Sequence, residues 1–155
     1  MSQTETETMT TVPETETQEA QETERDPIEI IATEFLGAPD IETMLNWKSH
    51  YGTIYAFTPD NDNVFIFRPL KRLEHKNITR DIKQISETQA AQINPAIVEE
   101  HLHEKVVTSC CLHPQITLDT FNNSPAGLIP TLFNLVMENS KFIAPERALA
   151  SCFKL

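Results

Sequence analysis

The first 26 residues, MSQTETETMTTVPETETQEAQETERD, are so unlike the other 129 that only the second part can fold around a core. Eight of the 26 are Asp or Glu, eight are Thr, and the large apolar groups are confined to Met1, Met9 and Val12. So little apolar surface cannot offset roughly 1–2 kcal/mol of backbone entropy per ordered residue. Residues 1–26 are therefore expected to be a disordered acidic Thr/Glu-rich tail, and residues 27–155 a single small domain. The expected role of the tail is solubilising. An acidic arm that competes for a binding surface is the sharper alternative.

The same boundary divides the formal charge of −11. The tail sets eight acids against Arg25 alone, a charge of −7, which leaves −4 for residues 27–155. A mildly acidic body lacks the concentrated basic footprint that displaces counterions from nucleic acid, so no nucleic-acid partner is expected. Lys71, Arg72, Lys76, Arg80 and Lys83 do form a local basic run. Its helical spacing reads more simply as a solvated face than as a phosphate track. No apolar stretch approaches the roughly 18 residues that span a bilayer, so no membrane partner is expected either. The N-terminus lacks the basic end and apolar centre of a signal peptide. Of three cysteines, Cys110 and Cys111 are neighbours. Their Cα atoms, about 3.8 Å apart, are closer than a relaxed disulfide prefers. Free, mostly buried thiols in a reducing cytoplasm fit this pattern.

Within the body, Ile28, Ile30, Ile31, Phe35 and Leu36 follow Pro27 with a spacing that suits either a short strand or one helical turn. Gly37-Ala38-Pro39-Asp40 punctuates the run, and Asp40 is a natural N-cap for a helix over 41–50 that Gly52 can end. Period then gives way to alternation. Ile54-Tyr55-Ala56-Phe57 and Val64-Phe65-Ile66-Phe67-Arg68 flank the turn cluster Thr58-Pro59-Asp60-Asn61-Asp62-Asn63, which predicts a β-hairpin over about 53–68. The second strand is apolar at both parities, and since a lone hairpin exposes one face to water, one of its two faces needs a cover. Helices of the same chain are the simpler cover and a partner protein the other. Helices are expected over about 71–87, with Ile78, Ile82 and Ile85 on one face, and over about 95–112, opening at Asn94-Pro95. A further one is expected over 131–140, and a short last one after Pro145, anchored by Leu149 and Phe153. The expected fold class is α+β, a hairpin packed against about four or five helices.

Residues capable of chemistry are few. His101, His103, Cys110, Cys111 and His113 crowd into thirteen residues. On a helix, however, His101 and His103 diverge by about 200°, and about 10 Å of rise separates His103 from Cys110. Ligands of one zinc ion sit within about 4 Å of one another, so no metal site is expected. The chain has no G-x-S-x-G, no C-x-x-C and no Gly-rich phosphate loop, and its three glycines are Gly37, Gly52 and Gly127. Glu99, Glu100 and Glu104 read as a solvated helix face. Neither a catalytic site nor a cofactor is expected. A binding surface remains. Trp47, Tyr51, Tyr55, Phe57, Phe65 and Phe67 place six of eleven aromatics within 21 residues, either as core or in part as a docking face. Arg68 could pin a partner carboxylate or close a salt bridge within the fold.

The run Trp47-Lys48…Tyr51-Gly52…Tyr55, followed by Val64-Phe65-Ile66-Phe67-Arg68-Pro69-Leu70-Lys71-Arg72, resembles the small phage tail assembly chaperones. That family shows a tryptophan–lysine helix, a Tyr-Gly turn and a strand ending in F-R-P-L-x-R. Val106-Val107…Cys110-Cys111-Leu112-His113-Pro114 is similar to its V…C-x-L-x-P segment. Pro125-Ala126-Gly127-Leu128-Ile129-Pro130-Thr131-Leu132 is similar to its P-A-G-L-P-S-x-L run, which opens a helix ending near Ser140-Lys141-Phe142. The match covers roughly residues 35–142 in order. Lys141 stands where a glycine is usual and Ile129 looks like an insertion, while the Thr/Glu tail lies outside the resemblance. The resemblance implies a non-enzymatic chaperone of the host cell cytoplasm that coats the tape-measure protein, keeps its apolar stripes from aggregating and helps recruit tail-tube subunits. It also leaves room for a homo-oligomer. The alternative is a structural protein that stays in the virion, in the baseplate, neck or tail. The hairpin and the Trp47 helix are the expected client surface.

Overall fold

The computed structural model describes residues 25–142 and 145–152. The tail expected over 1–26 therefore lies outside the described residues up to position 24, as does Phe153. Asp26 belongs to the folded part. Its carboxylate accepts a 2.8 Å hydrogen bond from the Ile28 N–H and caps helix α1, Pro27–Glu34. Two helical turns thus resolve the ambiguous apolar run that follows Pro27, since Ile28, Ile31 and Phe35 share the buried side.

The chain is α+β, and its organising element is β2, Phe65–Phe67. This strand lies in the middle of a three-stranded antiparallel sheet, between β1, Tyr55–Phe57, and β3, Cys111–His113. Because side chains alternate along a strand, Phe65 and Phe67 face one side and Val64 and Ile66 the other. On the first side, Phe67 packs with Leu70, Ile78, Val106, Cys110 and Val136, and Phe65 with Val107, Ile116 and Leu132. These residues come mainly from α3, Arg72–Ser86, α5, Ala96–Cys110, and α7, Leu128–Asn139, of which α5 packs against both others. On the second side, Val64 and Ile66 meet Met44 and Trp47 of α2, Ile41–Tyr51, and Ile28 and Ile31 of α1. Both faces of the sheet are therefore covered by the chain's own helices. A partner protein is not needed as the cover.

Several expected boundaries shift for identifiable reasons. The helix expected to run to residue 112 stops at Cys110, and Cys111–His113 pairs antiparallel with β2. Pro114 disfavours helical geometry for the residue before it. The open edge of β2 also offers partners for backbone groups that would otherwise be buried unpaired. α7 begins a turn earlier than expected, because Pro130 falls within the first turn, where its missing N–H has no intrahelical partner. Two short helices escaped the sequence, α4, Gln89–Ile93, and α6, Leu118–Asn123. Each spans too few residues to show a period, although each opens on a threonine cap, Thr88 and Thr117. α8, Pro145–Ala150, follows Pro145 as expected, but Leu149 is 74% exposed and anchors nothing. In all, eight helices stand among the described residues, against the four or five expected. None is long and apolar enough to cross a membrane.

Other expected devices hold. Asp40 caps α2 through a 2.8 Å bond from the Thr43 N–H, and Gly52 ends that helix at φ +86°. Gly37 turns the chain between α1 and α2 at φ +77°, and its carbonyl lies 2.8 Å from Nε2 of His113 on β3. Lys141, just after α7, has φ +69°, the left-handed conformation that glycine adopts without penalty. Replacing Lys141 by glycine is expected to raise stability by up to about 1 kcal/mol in urea denaturation, since relief of backbone strain outweighs the added freedom of the unfolded chain. Lys141→Ala is expected to gain nothing.

Candidate functional site

The residues expected to bind a partner divide into three groups in space. Trp47 lies on the α1–α2 side of the sheet, half-buried against Met44, Val64 and Ile66. Tyr51, Arg68 and Glu74 form a second group. The Arg68 guanidinium donates to both carboxylate oxygens of Glu74, at 2.7 and 2.9 Å, to the Ser109 carbonyl at 2.8 Å and to the Pro69 carbonyl at 3.2 Å. Its Cζ also sits 5.0 Å from the centroid of the Tyr51 ring, in cation–π range. Arg68 is 8% exposed. Its hydrogen bond to Glu74 holds that carboxyl below the usual glutamate range and raises the guanidinium's own pKa. The expectation that Arg68 pins a partner carboxylate is corrected: Glu74 of the same chain, three residues into α3, takes that place.

The third group is the hairpin itself. The register sets Tyr55 opposite Phe67 and Phe57 opposite Phe65. The ring centroids are 5.6 Å apart in the first pair, which is stacked, and 6.2 Å in the second. Phe67 is 2% exposed and belongs wholly to the core, so it too is corrected as a docking residue. Phe57 and Phe65 differ. Although Phe65 is largely covered, both rings line an open groove of about 380 Å³ between the hairpin loop and the start of α7. Pro59, Pro125, Leu128 and Thr131 extend its mostly apolar wall, which Asp60 and Asn63 of the loop also line.

Local chemistry shapes the groove. Asp60 accepts hydrogen bonds from the N–H groups of Asp62 and Asn63, at 2.9 and 2.8 Å, and from the Asn63 side chain. The bond from the Asn63 amide leads in holding the Asp60 carboxyl below its ordinary range. An Asx turn of this kind fixes the loop that carries Pro59. The opposite wall was missed by the sequence reading. Pro125-Ala126-Gly127-Leu128 reads locally as the opening of a helix, and nothing in its spacing says that it meets a loop some sixty residues earlier.

The residues considered for chemistry are dispersed. His101 Nδ1 lies 3.5 Å from Glu104, His103 packs at a tilt against Phe133 with centroids 4.2 Å apart, and His113 faces the Gly37 carbonyl. Among the described residues no three His, Cys, Asp or Glu side chains converge as a metal site. Burial pushes the Cys110 thiol up to about 12 and the Cys111 thiol up to about 11. Both thiols are thus held protonated at pH 7, the form in which a cysteine is a poor nucleophile. A chromogenic disulfide reagent should therefore label one thiol per native chain within minutes, at the exposed Cys152. All three should react in denaturant. Rapid native labelling of Cys110 would contradict its burial.

Comparison with known protein families, curated proteins and solved structures yields no match to this chain.

Proposed function

We propose that this protein is a non-enzymatic phage tail assembly chaperone that binds the tape-measure protein in the host cell cytoplasm. The observation that carries this reading is the mostly apolar groove between hairpin and α7, which Phe57 and Phe65 help line. Its volume lies near the lower end of the range of sites that enclose small molecules, and it is open along one side. Such a groove suits one or two apolar side chains from a client helix, in the manner of helix-in-groove recognition. A second support is the distribution of exposed apolar groups. Of the seven large ones among the described residues, Leu36, Ile41 and Leu45 fall within one ten-residue stretch. Ile41 and Leu45 stand one turn apart on the outer side of α2, the helix of Trp47. The order of motifs over residues 35–142 favours the chaperone family over other binding proteins.

Co-expression with the tape-measure protein of the same genome tests the proposal. The client is expected to stay soluble and to co-purify with this chain; an insoluble client and no co-purification would end it. Mass spectrometry of purified virions distinguishes the structural alternative, which requires a fixed stoichiometric amount of this chain in the particle.

A further inference from the structure

α3 carries a face that the rest of the described fold leaves unmatched. Arg72, Lys76, Arg80 and Lys83 are all exposed and recur on one stripe of the helix, opposite the buried Ile78. With His75 and Thr79 they border a shallow groove of about 470 Å³. Like charges one turn apart repel, and the neighbouring carboxylates do little to offset this. Asp81 lies 4.0 Å from Arg80 but is shared with Lys105 at 3.7 Å. Among the described residues, Arg72, Lys76 and Lys83 have no carboxylate partner. The chain holds its complement elsewhere. Residues 1–24 contain seven glutamates and no basic residue.

We infer that the N-terminal segment, residues 1–24, docks on this basic face of α3 within its own chain. Charge is one argument and reach is the other. The segment joins the fold at Arg25, next to α1, which packs on the far side of the sheet from α3. A domain of this size has a radius of gyration of about 14 Å, whereas 24 extended residues span up to about 80 Å. The path around the domain is therefore open, and Glu5, Glu7 and Glu14 have the longest reach. Tethering raises the local concentration of the glutamates to roughly the millimolar range. The segment thus occupies the face ahead of a second copy or a free polyanion present at micromolar levels. This inference stands independently of the proposed client.

Zero-length carbodiimide cross-linking of the full chain tests it, with unlabelled and nitrogen-15-labelled protein mixed to separate links within a chain from links between chains. At about 20 mM salt, glutamates of residues 1–24 should couple to Lys76 and Lys83 within single chains. The yield should be at least about fivefold above that at Lys48, an exposed lysine on α2. At about 0.5 M salt, where the screening length shrinks to about 4 Å, that excess should disappear. The exposed pair Arg72→Glu and Arg80→Glu keeps both target lysines and reverses the stripe, and it should bring the yield down to the Lys48 level with the circular dichroism spectrum unchanged. Equal coupling at Lys48, no coupling to either α3 lysine, links mainly between chains, or coupling indifferent to the reversed stripe would each overturn the inference.

Discussion

Phe67→Ala is expected to destabilise the domain by about 3–5 kcal/mol, a large share of the roughly 5–15 kcal/mol that holds a domain of this size together. The ring is buried among Leu70, Ile78, Val106, Cys110 and Val136 and stacks on Tyr55. Its removal empties the meeting point of α3, α5 and α7. Ile66→Ala, one residue away on the same strand, opens the opposite layer against Met44 and should cost about 2–5 kcal/mol. Large losses at adjacent positions are the signature of a strand packed on both faces. A sheet with one wet face would show one large and one small loss. Urea denaturation of the two variants measures this, and a loss below about 1 kcal/mol at either position would contradict the layering.

The second large effect is at the Arg68–Glu74 pair. Arg68→Ala is expected to cost about 3 kcal/mol, because it strips the Ser109 carbonyl and the Glu74 carboxylate of their charged donor and removes the guanidinium that lies over the Tyr51 ring. Arg68→Lys should recover less than half, since an ammonium cannot hold two carboxylate oxygens and a carbonyl in one plane. Glu74→Ala should cost at least 2 kcal/mol or so by leaving a buried cation with carbonyl partners alone. A double-mutant cycle isolates the pair, and non-additivity of about 1–3 kcal/mol is expected. The pH dependence has a definite sign. The Glu74 carboxyl is held below its ordinary range in the folded state. The contribution of the pair is therefore complete above the ordinary glutamate pKa and is lost as pH falls through the lowered value. Between those limits wild type should lose stability on acidification more steeply than Arg68→Ala. Parallel acid limbs would show that the pair contributes nothing to folding.

What could be read from the residues was mainly what is local. The hairpin showed itself because β-branched and aromatic residues flank six turn formers, and α2 because Asp40 and Gly52 mark its ends. β3 was hidden: Cys111-Leu112-His113 is too short to announce alternation, and only the free edge of β2 makes a strand of it. The two apolar parities of β2 showed that one face needed a cover, but not that the chain's own helices bury both. The aromatic cluster misled for the same reason. Phe67 and Arg68 have the composition of an interface hot spot, yet α3 and α5 close over them. The groove at Phe57 and Phe65 depends on long-range apposition, which no window of sequence contains.

The most direct measurement of the proposed binding uses Thr131, an exposed residue on α7 that lines the groove and lies outside the core clusters. The tape-measure protein is co-expressed with wild-type chain, with Thr131→Glu, or alone, and its soluble yield is compared. Wild type should keep most of the client soluble, and Thr131→Glu, folded to the same degree by circular dichroism, should bind it about tenfold more weakly, the effect of roughly 1.4 kcal/mol, and lower that yield. A client equally soluble in all three cases, or bound equally well by wild type and Thr131→Glu, would contradict binding through the groove.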